Sequence, residues 1–130
     1  MANWGRAVMM VLLMALPFRV SAGGNDALQL VNHVVVIWMK PEFRNEAEIN
    51  RLIAGHDMLR SIPGLVSLNV GRVIPSDRPI VDSSYDIASV FQFKSVEAMR
   101  TYLSHPTHVE FLQTYPAGKV ERIQVYDFGG

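Results

Sequence analysis

Four segments of the chain carry hydrophobic residues in patterns that predict β-strands. Val34 to Met39 form a β-branched and aromatic run that is apolar at both alternating positions, which is typical of a strand buried on both faces. The third segment is also apolar on both faces, the second alternates, and the fourth is rich in β-branched and aromatic residues. The predicted strands span residues 32–40, 65–73, 85–94 and 120–128.

A first helix is predicted between strands one and two. Asn45 is followed by Glu48 at the third helical position, a spacing typical of a capping box at a helix start. Apolar residues then recur at helical spacing until the sequence 61–64, Ser-Ile-Pro-Gly, ends the helix. The segment 74–84 carries two prolines and two aspartates and predicts a polar loop that could cover a pocket.

The second helical region contains a predicted bend. Ser95 can cap a helix that runs through Leu103. His105 then precedes Pro106, and a residue before proline avoids helical dihedral angles, whereas proline itself suits the first position of a helix. We therefore predict that one helix ends at His105 and that another begins at Pro106 and runs through Tyr115.

The order of these elements is β-α-β-β-α-β, which predicts an α+β domain with a ferredoxin-like fold. In this fold a four-stranded antiparallel sheet carries both helices on one face. Because the two central strands are apolar on both sides, the second face also needs a cover, and another copy of the same sheet would supply it. We therefore expect a homodimer that forms a dimeric α+β barrel.

The first 22 residues have the pattern of a signal peptide. Arg6 precedes an uncharged apolar run from Ala7 to Phe18, and Val20 to Ala22 supply a cleavage-like site. The run is shorter than the roughly 20 residues that a transmembrane helix needs, so we expect no stable membrane anchor after cleavage and a periplasmic or secreted protein. An uncleaved membrane anchor is the alternative. The expected divisions are a signal peptide at 1–22, a flexible leader at 23–31 and the domain at 32–130.

Composition excludes several classes of function. Twelve Lys and Arg balance twelve Asp and Glu, so no net positive charge favours nucleic-acid binding. The absence of cysteine excludes disulfides, a thiolate nucleophile and Cys-ligated metal sites. No glycine-rich phosphate loop is present. We therefore expect no organic cofactor and no nucleic-acid partner.

Several motifs occur in a characteristic order along the domain. They are His33 to Trp38 (HVVVIW), Ile62 to Gly71, Phe91 to Glu97, Tyr102 to Phe111 (YLSHPTHVEF) and Val125 to Phe128 (VYDF). In these motifs the stretch from His33 to Phe128 resembles the stress-responsive dimeric α+β barrel family, often called Dabb. The resemblance implies a barrel built by two subunits, in agreement with the predicted topology.

The family is functionally mixed, and many of its members have no assigned reaction. Plant members that resemble polyketide cyclases promote an aldol-type ring closure, and the resemblance places their acid–base pair at Tyr102 and His108. Two further cyclase positions differ in this chain. Asp86 stands where those cyclases carry a strand-three histidine, and Gly55 stands near the position of a helix-one tyrosine.

His108 and Tyr102 are the candidate catalytic residues. His108 is predicted at the third position of the last helix, on the same face as Phe111. The positive end of the helix dipole would keep its imidazole neutral and able to accept a proton. The Tyr102 phenol could orient or protonate a carbonyl oxygen. The alternatives are a structural histidine bonded to the backbone and a tyrosine that fills the core.

The candidate ligand-binding residues are His33, His56, Asp86 and Phe111. His33 should lie beside Asp127 where the first and last strands pair antiparallel, either at a pocket or as a pair that closes the sheet edge. His56 could border a cavity or be a satisfied core histidine. We expect no metal site, because His105 and His108 lack the third protein ligand that zinc requires.

Three functions remain open from the sequence. The first is a stress-responsive, exported, Dabb-type dimer that binds a small apolar, aromatic or carbonyl compound, with cofactor-free acid–base activity of the cyclase or lyase kind. The second is a non-catalytic envelope dimer concerned with stress or ligand binding. The third is a cofactor-free monooxygenase of a related dimeric barrel family.

Overall fold

The computed structural model describes residues 29–130, so the expected signal peptide and most of the leader lie outside the described residues. The strands are β1 (Val31–Met39), β2 (Leu65–Arg72), β3 (Ile87–Phe93) and β4 (Val120–Gly129). The α-helices are α1 (Glu46–Gly55), α2 (Val96–Ser104) and α3 (Pro106–Thr114), and short 3₁₀ segments occupy Pro41–Phe43 and His56–Ser61. The predicted element order is confirmed.

The four strands form one antiparallel sheet in the order β2-β3-β1-β4. This is the ferredoxin-like topology that the sequence predicts. In the register, His33 of β1 lies opposite Phe91 of β3 on one side and opposite Asp127 of β4 on the other. Because side chains alternate along a strand, these three residues share one face of the sheet.

The helices cover that face and enclose the hydrophobic core. The buried apolar residues come from β1, β2, β3, the helices and the segment 59–62: Val31, Ile37, Met39, Leu52, Leu59, Ile62, Leu68, Ile87, Phe91, Phe93, Met99, Tyr102 and Phe111. Strand β4 contributes none of them, and Ile123 and Val125 on its helix-side face stay 48% and 39% exposed. The helix layer therefore leaves the edge at β4 open.

The predicted helix starts are confirmed. The Asn45 side chain accepts a hydrogen bond from the Glu48 backbone N–H at 3.0 Å, and Ser95 caps α2 in the same way through the Ala98 N–H at 3.0 Å. The first helix is shorter than expected, because after Gly55 the chain tightens into a 3₁₀ segment that ends at Ser61.

His105 forms the joint between α2 and α3. Its backbone is extended, and its N–H donates to the Tyr102 carbonyl at the end of α2. Its Nδ1 accepts from the Thr107 N–H at 3.1 Å at the start of α3. One residue thus ends one helix and caps the next, which confirms the predicted bend.

The other face of the sheet carries an apolar strip without cover from the helices. Alternation along the strands places Val34, Val36 and Trp38 of β1 on this face, together with Val90 of β3. On β4 the same face carries Tyr126 and Phe128, each 57% exposed. We call this surface the open sheet face.

Within residues 29–130, no helix has the length and apolar character needed to cross a bilayer.

Candidate functional site

A small cavity lies between the helix layer and the sheet, with a volume of about 50 Å³. Its polar wall groups belong to five residues, His33, His56, Ser89, Tyr102 and His108. The rest of the wall is apolar: Val35, Ile37, Phe91, Phe111, Leu112, Pro116 and Ile123. The structure thus brings together five of the six residues predicted from the sequence, and it adds Ser89.

Tyr102 and His108 are in direct contact in this wall. Their ring centroids lie 4.5 Å apart with the planes tilted by 37°. Tyr102 sits near the end of α2 and His108 in the first turn of α3, so the joint at His105 turns the two side chains toward one cavity. The sequence alone left this contact undetermined.

The Tyr102 side chain is suited to donate a hydrogen bond. It is 1% exposed, and burial raises the pKa of its phenol well above the ordinary value of 10.0. Removal of the phenolate from water disfavours the charged form. The hydroxyl therefore keeps its proton at any physiological pH and can act on an acceptor atom of a ligand.

His108 is arranged to accept a proton. Its Nδ1 lies 2.9 Å from the Leu103 carbonyl oxygen, and only a protonated Nδ1 can donate there, so Nε2 carries the free lone pair. Burial lowers the pKa of His108 below 6.5, the hydrogen bond to Leu103 opposes this shift, and the charge of His33 lowers the pKa further. The ring is therefore neutral at neutral pH.

His33 is held by the partner that the strand register predicts. Its Nδ1 donates to Asp127 Oδ1 at 2.6 Å. The ring is 6% exposed. It makes edge contacts with the rings of Phe91 and Tyr102, with centroids 5.6 Å and 6.3 Å away. The Asp127 carboxylate thus fixes the His33 ring in the cavity wall, and the predicted His33–Asp127 contact is confirmed.

His56 lines the cavity from the 3₁₀ segment after α1. Its Nδ1 donates to the Leu52 carbonyl at 2.7 Å, and its ring packs edge-on against Phe111 with centroids 4.9 Å apart. Burial lowers the pKa of His56 below 6.5, the Leu52 carbonyl partly opposes this shift, and the charges of Arg60 and Asp57 have smaller, opposite effects. His56 is thus both a buried core histidine with a backbone partner and a residue of the cavity wall.

Ser89 is the cavity residue that sequence reasoning missed. It lies in the middle of β3, where the inward positions are otherwise apolar, between Ile87 and Phe91. It is 1% exposed, and its hydroxyl makes no hydrogen bond within the part of the chain that the structure describes. A polar residue at an inward position of an alternating strand is the sequence signal that would have found it.

Asp86 does not line the cavity, so its position gives no support to the ligand-binding role expected for it. Its Oδ2 accepts hydrogen bonds from the Met39 N–H at 2.7 Å and from Arg44 Nε at 3.1 Å. Arg44 also donates to the Met39 carbonyl at 3.0 Å. Asp86 directly precedes β3, where Ile87 takes the inward position, and its carboxylate instead ties the end of β1 to the following turn.

Two further observations concern the surface and possible metal sites. A depression of about 470 Å³ is larger than the cavity, but Lys94 is the one ionisable side chain in its wall. Among residues 29–130, no group of three or more His, Asp or Glu side chains is placed to hold a metal ion. The small cavity, in contrast, has three histidines and a tyrosine in its wall.

The family is decided by the match of residues 31–129 to the sequence profile of the stress-responsive A/B barrel domain, Dabb. The chain belongs to the Dabb family. This Dabb domain contains every element described above, from the first residue of β1 to the last of β4. No functionally curated protein matches it significantly.

Solved structures with the same fold include three informative relatives. A Dabb family protein from Mesorhizobium loti is 24% identical, with 77% of this chain and 95% of that chain covered and a TM-score of 0.62. A hydroxynitrile lyase from Passiflora edulis is 22% identical, with 78% and 94% covered and a TM-score of 0.66. A dimeric ferredoxin-like protein of unknown function from Thermobifida fusca is 19% identical, with 78% and 92% covered and a TM-score of 0.64.

Proposed function

We propose that this Dabb domain binds a small aromatic or carbonyl compound in the cavity and acts on it by cofactor-free acid–base chemistry. The observation that carries the proposal is the Tyr102–His108 pair, whose rings lie 4.5 Å apart in one cavity wall. One member is held as a hydrogen-bond donor and the other as a proton acceptor. Groups tuned toward opposite roles in one cavity are typical of acid–base sites.

The chemistry follows from the two protonation states. The Tyr102 hydroxyl donates a hydrogen bond to the oxygen of the reacting group, and Nε2 of His108 accepts the proton that is removed. For a cyanohydrin, His108 takes the hydroxyl proton, the carbonyl forms, and the bond to the nitrile carbon breaks. Cyanide leaves with the bonding electrons and takes that proton from the His108 imidazolium, which gives hydrogen cyanide and restores the neutral base. The Passiflora lyase of the same fold makes a cyanohydrin a reasonable first probe.

Substitution of Tyr102 by phenylalanine tests this proposal. With mandelonitrile as substrate, we expect Tyr102→Phe to lower kcat by about 10- to 100-fold, because the donor to the reacting oxygen is lost. The ring and its packing remain, so the melting temperature should change little. Release of benzaldehyde, followed by absorbance, measures kcat.

Tyr115→Phe is the matched control, since Tyr115 lies on the same helical region but outside the cavity wall. Equal losses in both variants would contradict a specific role for Tyr102. If the native protein binds benzaldehyde but turns over no mandelonitrile and exchanges no α-proton of acetophenone, the non-catalytic ligand-binding function replaces the enzymatic one. The apolar wall of the cavity suits such a ligand as well.

We further propose that the domain works as a homodimer joined through the open sheet face. Structural neighbours with this fold are described as dimeric, and a sheet packed against the open sheet face would bury Tyr126 and Phe128 of β4. A stable interface buries more than about 1,000 Å², and a four-stranded sheet face offers that area.

Native mass spectrometry tests the dimer. We expect a mass of twice the chain at micromolar concentration. Phe128→Asp should produce monomers because it places a charge without a partner in the interface. Ile80→Asp is the control, since Ile80 is 84% exposed in the loop between β2 and β3. A native protein that stays monomeric would contradict the proposal.

Export is also a proposal, based on the sequence of residues 1–22. It is consistent with a domain that lacks cysteine and relies on its core and a partner subunit for stability. The mass measurement on the dimer also checks this proposal, because cleavage after Ala22 leaves two chains that begin at Gly23.

A further inference from the structure

The Ser89 hydroxyl is a buried polar group for which the fold provides no partner. Its oxygen is enclosed, and no hydrogen bond reaches it from any residue in the range 29–130. Buried polar groups in folded proteins are nearly always paired, and an exception needs an explanation. Because Ser89 lines the cavity, the missing partner is an atom that enters the cavity.

His56 supplies a second unused group in the same wall. Its Nδ1–H donates to the Leu52 carbonyl at 2.7 Å, so Nε2 bears a lone pair and no hydrogen. The ring is 2% exposed, and its packing against Phe111 fixes its orientation. His56 and Ser89 do not bond to each other, so one atom bound in the cavity could serve both groups.

We propose that Ser89 and His56 form a second polar anchor that selects ligands carrying a hydroxyl group. The hydroxyl donates its hydrogen to Nε2 of His56 and accepts a hydrogen bond from the Ser89 hydroxyl. This inference rests on the proposed function, because the same ligand also meets Tyr102 and His108. The anchor narrows the substrate class of the proposed function to small aromatic carbonyl compounds or cyanohydrins that carry an additional hydroxyl group.

The pattern of donors and acceptors favours a hydroxyl over other small polar groups. Nε2 of His56 can only accept, whereas the Ser89 hydroxyl can donate or accept. A carbonyl, an ether or a nitrile would accept from Ser89 and leave Nε2 of His56 without a donor. A site built for a hydroxyl discriminates against an analogue that lacks it, because its own polar groups then stay unpaired.

The cavity size supports direct contact with a ligand group. The cavity is small, at about 50 Å³, so an atom that enters it is close to several wall groups at once. A bound water is the competing occupant, since a volume of roughly 10–15 Å³ in this measure is enough to hold one.

Calorimetric titration of the full dimer with benzaldehyde and the three hydroxybenzaldehydes tests the inference. We expect at least one hydroxybenzaldehyde to bind about 10-fold more tightly than benzaldehyde, and Ser89→Ala to reduce this ratio to about 1. Ser67→Ala is the matched control, because Ser67 also lies in a strand of this sheet but its hydroxyl donates to Gln92 at 2.8 Å, outside the cavity wall. The ratio should stay at the native value in that variant.

The melting temperature of ligand-free Ser89→Ala gives an independent readout. Removal of an unpaired buried hydroxyl should leave the melting temperature unchanged or raise it by a few degrees. A clear decrease would mean that the hydroxyl has a structural role and would overturn the inference.

The titrations separate this inference from the proposed function. If benzaldehyde and the hydroxybenzaldehydes bind the native protein equally, water satisfies Ser89 and His56, and the anchor is refuted while the proposed function stands. If none of these compounds binds, the proposed function fails and the anchor fails with it. A hydroxyl preference that persists in Ser89→Ala would also overturn the role of Ser89.

Discussion

Replacement of His108 by glutamine is expected to lower kcat for mandelonitrile by at least about 100-fold, the usual contribution of a general base. Glutamine keeps a polar side chain of similar size, but it cannot take up a proton at neutral pH. The contact with Tyr102 and the position in the first turn of α3 place the lost group in the cavity wall. Steady-state kinetics on the folded protein measure the loss.

The pH profile provides a second check on His108. Because burial lowers its pKa below 6.5, more than half of the base is unprotonated at pH 6.5, and the midpoint of the acid-side decline of kcat should lie below that pH. Protonation removes the acceptor, so the sign is a loss of activity as pH falls. Gln113→Ala, an exposed position on the same helix, should leave the profile unchanged.

A purely structural histidine predicts a different result. In that case His108→Gln would cost about 1–3 kcal/mol of folding free energy, and the affinity of the remaining folded protein for benzaldehyde would be unaltered. Thermal unfolding and ligand titration on the same variant distinguish the two roles. Full activity in His108→Gln would remove it from the mechanism.

Replacement of Gly55 by alanine is expected to destabilise the domain by about 1–3 kcal/mol, the usual cost of overpacking. A Cβ atom at this position would lie 2.6 Å from ring carbons of Tyr115, well inside van der Waals contact. The ring has limited freedom to retreat, since Arg51 stacks on it at 4.9 Å and Phe111 lies 5.6 Å away. Urea denaturation of both proteins measures the difference.

A double-mutant cycle shows whether the Tyr115 ring is the cause. In a Tyr115→Ala background the obstacle is absent, and Gly55→Ala should then be neutral or stabilise by up to about 1 kcal/mol through its better helix propensity. If Gly55→Ala costs the same in both backgrounds, the ring contact is not the reason for glycine at this position.

The fold was predictable because its signals are local or depend on the register of paired strands. Asn45 and Ser95 cap their helices through bonds to residues three positions later. The His33–Asp127 contact followed from pairing the first and last strands antiparallel. The end of α1 was misplaced because apolar spacing over six residues does not separate an α-helix from the 3₁₀ segment that begins at His56.

The cavity was only partly predictable, since it depends on how separate elements meet. Helical periodicity ends at Pro106, so the contact between Tyr102 and His108 depends on the angle of the joint. The face of the sheet that Asp86 occupies depends on strand parity, which the sequence does not determine. Ser89 belongs to no motif. Gly55 is covered by the Tyr115 ring from the end of α3, a contact between distant parts of the chain.

The joint at His105 shows that most of the segment His105 to His108 serves the backbone and not the chemistry of the cavity. His105 and Pro106 are explained by backbone geometry alone, and Thr107 contributes the N–H that His105 accepts. Only His108 reaches the cavity. Three of the four positions therefore serve the joint between the helices, and the segment supplies the cavity with one chemical group. The preference for a particular ligand depends instead on other residues of the cavity wall, such as Ser89 and His56, which belong to no contiguous motif.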